Sequence, residues 1–444
     1  MTTKRSTKRI VFIGAAGDMC RVAIDRFAKT AGDKDWKLEL YDIRPESLDA
    51  VVTSLPAGSA TAGSLDLFDG AALRNTVEGA ALVVLGAGPY NRTAEPVMAA
   101  CIEKRVPYLD LDDDEASTRA ALALDAQAKD AGVPILVGCG ASPGFTNVMA
   151  ADAARDVDTV ERIDVCWVTG DEGPVPFGRA VLDHAIRGFA GPCQTWEHGR
   201  SVTHQTFLET DVFALGNTLG DSYRLYECAH PEPVTMPRRW PGADRIRVLG
   251  ALDPPPTNGI MRGVAVGVQR GKISMDEAID FLNDLLTDKT GSPKVWRHAL
   301  SGLWGTVRRG EIGAVEVLKF LAMSAARKHP PFRGTNYVRV TGKRDGQQVV
   351  SVRRAPVSGP GTAWTTMASL TGAATAAFMV LALDELDEQS GVLAPEDWAA
   401  PEKFYETLAA AGGSPLHEVV EAVVTPSSAV TSRVPSNSLS SGRV

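Results

Sequence analysis

Residues able to move protons or hold charge cluster in short polar breaks between apolar runs. Tyr90 follows "LVVLGAGP", where a phenol can cover a flat ring or border a reacting carbon. "YLDLDDDE" puts Asp110 at the end of another apolar run and Asp112 just beyond it. Either carboxylate could orient a positive nitrogen or exchange a proton. Asp113, Asp114 and Glu115 read instead as the acidic start of the next helix. Much later, "AHPEPVTMPRR" is a polar, proline-pinned stretch with His230, Glu232, Arg238 and Arg239. An imidazole titrates near neutrality, and His230 or Glu232 could close a cleft from a second domain. Arg238 or Arg239 could take a substrate carboxylate, because guanidinium binds carboxylate bidentately. An ordinary surface loop is the alternative for this stretch.

A second group of residues has the spacing of a dinucleotide site. "IVFIGAAGDMC" is a strand, a glycine turn and a helix start. Gly14 permits the turn, and Gly17 lets a pyrophosphate reach the free N–H groups of the helix N-terminus. Ala16, Asp18 and Met19 complete this loop, while Cys20 stands where a third glycine is usual. Asp42 ends the run "LELYD", 28 residues beyond Gly14, and can accept hydrogen bonds from ribose hydroxyls. Arg44, two residues on, could hold a 2′-phosphate instead, so NAD is favoured and NADP is the alternative. Asp66 in "LDLFD" faces the adenine in this reading. At the second glycine-marked strand end, Gly86, Ala87, Gly88 and Pro89 should leave room for the nicotinamide half beside Tyr90. "GCGASPGFTN" places Gly140 in a loop that can line the cofactor and hinge two domains.

These residues need a sheet to hold them. Over the first 140 positions short apolar runs alternate with amphipathic helical segments, which predicts parallel strands covered on both faces. Strands are expected at 9–14, 37–42, 62–67, 81–86, 107–111 and 134–138. Helices are expected at 18–29, 45–54, 70–78, 93–104 and 115–130. After Gly144 longer strands with polar alternation appear ("ERIDVCWVTG", "QTWEHGR", "SYRLYECAH", "DRIRVLGALD"). Helices are expected there at 178–189, 274–286 and 313–328, and a hairpin turning at Arg344-Asp-Gly.

The fold class expected is α/β: a Rossmann-type doubly wound parallel sheet with an inserted α+β substrate and dimerisation domain built on an open antiparallel sheet. The boundaries read 1–142 for the dinucleotide domain, 143–361 for the insert, 362–424 for a helical return and 425–444 for a disordered tail rich in Ser, Thr, Pro and Val.

The chain has 444 residues, 44% of them hydrophobic, and a net charge of −8, enough for two or three domains with sizeable cores. No long basic block points to nucleic acid. The six cysteines are scattered without a C-x-x-C pair, which argues for free thiols in a reducing cytoplasm and against a disulfide framework or a metal site. The polar start, running straight into a strand, argues against a signal peptide. Residues 355–383 lack charge, but sparse large apolar residues there point to a helix buried in protein rather than a membrane span. None of the seven tyrosines has a lysine four residues later, and G-x-x-x-x-G-K-[ST], H-E-x-x-H and G-x-S-x-G are all missing.

"GAAGDM", "GAGPYNRTAEPVMAACIEKRVPYLDLDDD", "GCGASPGFTNVMAADAA", "HPEPVTMPR" and "SLTGAATAAFMVLALDEL…GVLAPEDW", in this order, resemble the saccharopine dehydrogenase-like family of nicotinamide oxidoreductases. The resemblance spans nearly the whole chain. It implies that the late helical region returns to the nucleotide-binding domain. It also implies a homodimer, and hydride transfer at a C–N bond of an amino-acid-like or polyamine-like small molecule, with NAD or NADP. Cys20 and the divergent middle region depart from the pattern and leave the substrate open. The alternative is a non-catalytic dinucleotide-binding sensor or scaffold with the same fold.

Overall fold

The computed structural model describes residues 7–32, 35–170, 173–174, 177–356, 358, 364–386 and 389–426. Its first part alternates β1 (Lys8–Ile13), β2 (Trp36–Asp42), β3 (Ala60–Ser64), β4 (Leu82–Leu85), β5 (Tyr108–Asp110) and β6 (Pro134–Leu136) with helices. Successive side chains of a strand point to opposite faces. Ile10 and Phe12 therefore enter one apolar cluster, and Val11 and Ile13 the other. All four are fully or almost fully buried, each contributing about 1.5–3 kcal/mol. Burial on both faces is why these strands read as unbroken apolar runs.

The third strand lies earlier than its sequence pattern. Leu65 and Leu67 are buried but stand outside the strand, because Asp66 starts a turn, accepting the Phe68 N–H on Oδ1 at 3.0 Å. The fourth helix starts at Tyr90 rather than Thr93, and the fifth is broken at Leu124 into Glu115–Ala123 and Asp125–Ala131.

The second part contains β7 (Thr159–Thr169), β8 (Pro192–Glu197), β9 (Arg200–Gln205), β10 (Thr210–Phe213), β11 (Tyr223–Glu227), β12 (Arg245–Leu252), β13 (Thr335–Arg344) and β14 (Gln347–Arg354). The β13–β14 hairpin turns at Asp345-Gly346, both with positive φ (51° and 75°), as the Asp-Gly pair predicts. Helix Arg179–Gly188 precedes β8. Four more helices, Pro256–Gln269, Met275–Leu286, Pro293–Arg308 and Ala314–Ala325, lie between β12 and β13. The first and third of these were not expected. Their glycines mark a close helix crossing: a Cβ on Gly263 would stand 2.1 Å from the His298 carbonyl oxygen, and one on Gly302 2.2 Å from that of Gly259.

Helix Met367–Glu385 then packs on helix Asp18–Ala31, with Gly372 against Val22. Its length and apolar content would suit a membrane span, but most of it is buried within the protein. β15 (Gly391–Leu393) follows, then helix Pro401–Gly412 and β16 (Glu421–Pro426).

The first sheet has the order β15-β6-β5-β4-β1-β2-β3, all parallel. The second runs β10-β11-β12-β7-β13-β14-β16, with β8 on β12 and β9 on β8. It is mixed rather than antiparallel. β12 lies parallel to β7, since the long connection between them can cross back over the sheet. The chain does not finish on the first sheet: β16 pairs with β14, so Thr425 and Pro426 are strand rather than tail. Residues 427–444 lie outside the described residues.

Candidate active site

A cleft of about 1840 Å³ runs between the two sheets. Its floor includes Gly14, Ala16, Gly17, Asp18, Met19, Asp42, Arg44 and Asp66, followed by Gly86, Ala87, Gly88, Pro89, Tyr90 and Gly140. The structure thus brings together every residue expected to touch the cofactor. Gly14 has φ +81°, and a Cβ there would stand 2.5 Å from the Ala87 nitrogen, so the loops after β1 and β4 press directly on each other. Helix Asp18–Ala31 begins at Gly17 with no side-chain cap, leaving first-turn N–H groups suited to a pyrophosphate. Asp42 Oδ2 accepts the Ala16 N–H (3.3 Å) and Oδ1 the Arg44 N–H (3.1 Å), tying the second strand end to the glycine loop. Ile43 and Phe68, both exposed at the same end, can clasp an adenine ring. Sequence patterning missed them because it looks for charge at this position.

The two glycines of the second strand end have different reasons. A Cβ on Gly86 would stand 2.2 Å from Cys20 Sγ, so this position is small because the thiol in place of the third glycine fills the space. That corrects the expectation that Gly86 makes room for the ring. Burial pushes the Cys20 thiol up to about 12, and the thiol stays neutral. Gly88 is different: its nearest neighbour to an added Cβ is Ala180 Cβ, 3.7 Å away on the far side of the cleft. Tyr90, half-buried on the cleft wall, is held as neutral phenol by burial and by nearby Cys20, Asp110 and Asp113.

Opposite stands His230, whose Nδ1 lies 3.0 Å from Glu232 Oε2. Glu232 is fully buried, and its Oε1 accepts from Ser142 Oγ (2.8 Å) and Thr146 Oγ1 (3.1 Å). Burial works against the His230 imidazolium, but the Glu232 carboxylate outweighs it and holds the imidazole pKa above its ordinary value. Burial likewise works against the Glu232 anion; the His230 charge and hydrogen bonds from His230 and Ser142 keep that carboxyl below its usual range. Ser142 and His230 line the cleft, whereas Glu232 lies behind them. The sequence offers His230 and Glu232 as alternatives and marks the stretch that holds Ser142 and Thr146, about ninety positions earlier, only as a lining loop; their contact with Glu232 is not visible in it. A further pair crosses the cleft, His184 Nε2 to Asp113 Oδ2 at 3.3 Å. In the sequence Asp113 carries only the signal of a helix start.

Besides Glu232, expected at the substrate but lying behind the cleft wall, four more expected site residues fall outside the cleft. Asp110 is wholly buried. Its Oδ1 accepts the N–H groups of Asp112 (3.0 Å) and Gly138 (2.8 Å), and its Oδ2 accepts from Tyr108 Oη (2.8 Å), so it fastens the ends of β5 and β6. Asp112 is buried beside it and accepts the Asp114 N–H at 2.9 Å. Burial pushes the Asp110 carboxyl up to about 6, and burial plus the Asp110 charge pushes Asp112 well above its usual value. Neither lines the cleft. Arg238 donates to the Val392 carbonyl from both terminal nitrogens (3.1 Å each), and Arg239 donates to the Glu396 carbonyl. The two arginines clasp the returning C-terminal segment, and neither lines the cleft. Adjacent arginines after prolines look alike whether they meet a ligand or a distant carbonyl.

Residues 10–136 match the family described as the saccharopine dehydrogenase NADP-binding domain. Among solved structures, apo saccharopine dehydrogenase (L-Glu forming) from Saccharomyces cerevisiae is similar with a TM-score of 0.61 and 16% identity, over 94% of this chain and 100% of that chain. An engineered D-amino acid dehydrogenase bound to NADP+ is similar with a TM-score of 0.41 and 14% identity, over 90% of this chain and 96% of that chain. No curated protein matches the sequence. Residues 10–136 are thus similar to a saccharopine dehydrogenase NADP-binding domain, and the chain has an α/β fold like that of saccharopine dehydrogenase.

Proposed function

We propose that this chain is an NAD(P)-dependent oxidoreductase acting on a C–N bond, by imine reduction or amine oxidation, of an amino-acid-like or polyamine-like substrate. The observation that carries the reading is His230, backed by the buried Glu232, facing the same cleft as Gly88 and Tyr90. The nicotinamide cofactor, when bound, supplies or accepts the hydride. Gly14, Gly17 and the uncapped helix start hold its phosphates, Asp42 or Arg44 meets the ribose, and Gly88 leaves its ring unobstructed. His230, whose charged form Glu232 favours, gives one proton to the substrate nitrogen as the carbon gains hydride; in the amine-oxidising direction it takes that proton back. Ser142 and Thr146 keep Glu232 aimed at the imidazole. An imine nitrogen is far more basic than a carbonyl oxygen and takes its proton readily from an imidazolium, which agrees with the missing tyrosine–lysine pair of carbonyl reductases. Residues 1–142 would then hold the cofactor and 143–361 the substrate, in a cytoplasmic homodimer.

The test is consumption of NADH or NADPH with a panel of amines paired with keto acids and aldehydes, alongside fluorescence titration of both cofactors. Turnover with some imine supports the reading. Tight cofactor binding with no turnover would favour the sensor or scaffold. Asp42→Ala should weaken NADH more than NADPH; the reverse order overturns the preference for NAD.

A further inference from the structure

The cleft is larger than its cofactor end requires. Its lining continues past the glycine loops to Phe207, Ile260, Leu285 and Phe320. The surplus lies under the four helices between β12 and β13. Its wall there is apolar: Phe207 and Ile260 are buried, and Leu285, Leu286, Trp296 and Phe320 stand half-buried along it. These side chains belong to four helices and a loop, so the apolar wall is not one flat face.

Charge in this part of the cleft is already matched or lies at the rim. Asp253 is buried and held by Arg333 through Nε (2.8 Å) and a terminal nitrogen (2.6 Å). Arg179 is engaged by Asp276 and Asp280. Lys289, Lys319, Arg327 and Lys328, which line the same end, are all exposed. Among the described residues, that wall offers no buried cation for the carboxylates of a compact amino acid.

We propose that the substrate carries a medium or long alkyl chain, seated between helices Met275–Leu286 and Ala314–Ala325, with its polar end at His230. The claim rests on the reading above only for placing the C–N group at that end. Each methylene buried from water contributes about 0.8 kcal/mol, about fourfold in affinity. A second copy of the chain covering the same wall would give no such dependence.

The test uses the whole protein saturated with NADP+. N-phenyl-1-naphthylamine serves as a fluorescent apolar probe, displaced by hexylamine, decylamine and tetradecylamine below their micelle thresholds. Displacement should tighten about two- to fourfold per methylene. Phe320→Asp should weaken tetradecylamine at least tenfold without changing NADPH affinity. Leu285→Trp, which narrows the space without burying charge, should reject tetradecylamine and spare hexylamine. Affinity independent of chain length overturns the proposal, as does probe binding that vanishes when the protein self-associates. Because the readout is binding, the two claims separate. Chain-length-dependent binding with no turnover of any amine or imine in the panel would spare this inference and sink the C–N reaction; turnover with affinity independent of chain length would do the opposite.

Discussion

Two buried carboxylate clusters sit near one another, Asp110 with Asp112 behind the first sheet's strand ends, and Glu232 with His230 across the cleft. Both came from polar breaks in apolar sequence. They differ in what satisfies the carboxylate. Asp110 spends its oxygens on two backbone N–H groups and a buried tyrosine hydroxyl, none of which changes charge near neutrality. Glu232 is bonded to a group that does, and that group opens on the cleft. A buried acid gripped by backbone donors is a fastening. A buried acid that charges an imidazole at a cavity wall can drive a proton.

The sharpest way to break this contrast is at the imidazole. His230→Ala should lower kcat/KM by about 10²–10⁴-fold, the range of a lost general acid or base, with cofactor affinity unchanged in a fluorescence titration. Full turnover would end the assignment. Glu232→Gln should act more gently. Without the anion the imidazolium is less favoured, so the alkaline fall of the imine-reduction rate should move to lower pH, by about one unit or tenfold in rate at fixed pH. A pH–rate profile identical to wild type would leave Glu232 a purely structural role.

The other cluster should answer in stability instead. Asp110→Ala strands two backbone donors and a tyrosine hydroxyl, at about 1–3 kcal/mol for each buried group left unpaired, while kcat changes only a few-fold. Urea titration reads the first and initial rates the second. The pH sign is also opposite to that of an ordinary salt-bridged acid. With its folded value raised to about 6 above an unfolded value near 4, Asp110 favours the fold when protonated. That contribution is full below about pH 4 and lost as pH rises through about 6. Asp110→Asn should flatten this part of the stability curve, and melts at either end of the range would show it. Arg238→Ala should have the smallest effect, a loss of about 1 kcal/mol as hydrogen bonds to the Val392 carbonyl go, with KM unchanged. A raised KM would return Arg238 to the substrate.

The glycine loops, Asp42 and the alternation of strand and helix were legible because they are local. A positive φ, a strand buried on both faces and a helix start each leave a mark within a few residues. The break at Asp66 and the Gly259–Gly302 crossing were illegible for the same reason. In one, an apolar alternation continued past the strand; in the other, glycines that break an isolated helix let two helices touch.

Sequence alone determined that a nucleotide-type sheet forms and which backbone turns a cofactor can approach, since those follow from periodicity and the conformational limits of single residues. Only the tertiary structure decided which charged residues face the cleft. Asp110 and His230 carry the same kind of signal along the chain; what separates them is whether distant backbone donors or open space meets the side chain, and no local rule encodes that. The seventh strand, β15, the clasp of Arg238 and Arg239 on the segment that brings it, and the aim of Ser142 at Glu232 all depend on contacts between positions far apart, whose energies exist only once the chain has closed on itself.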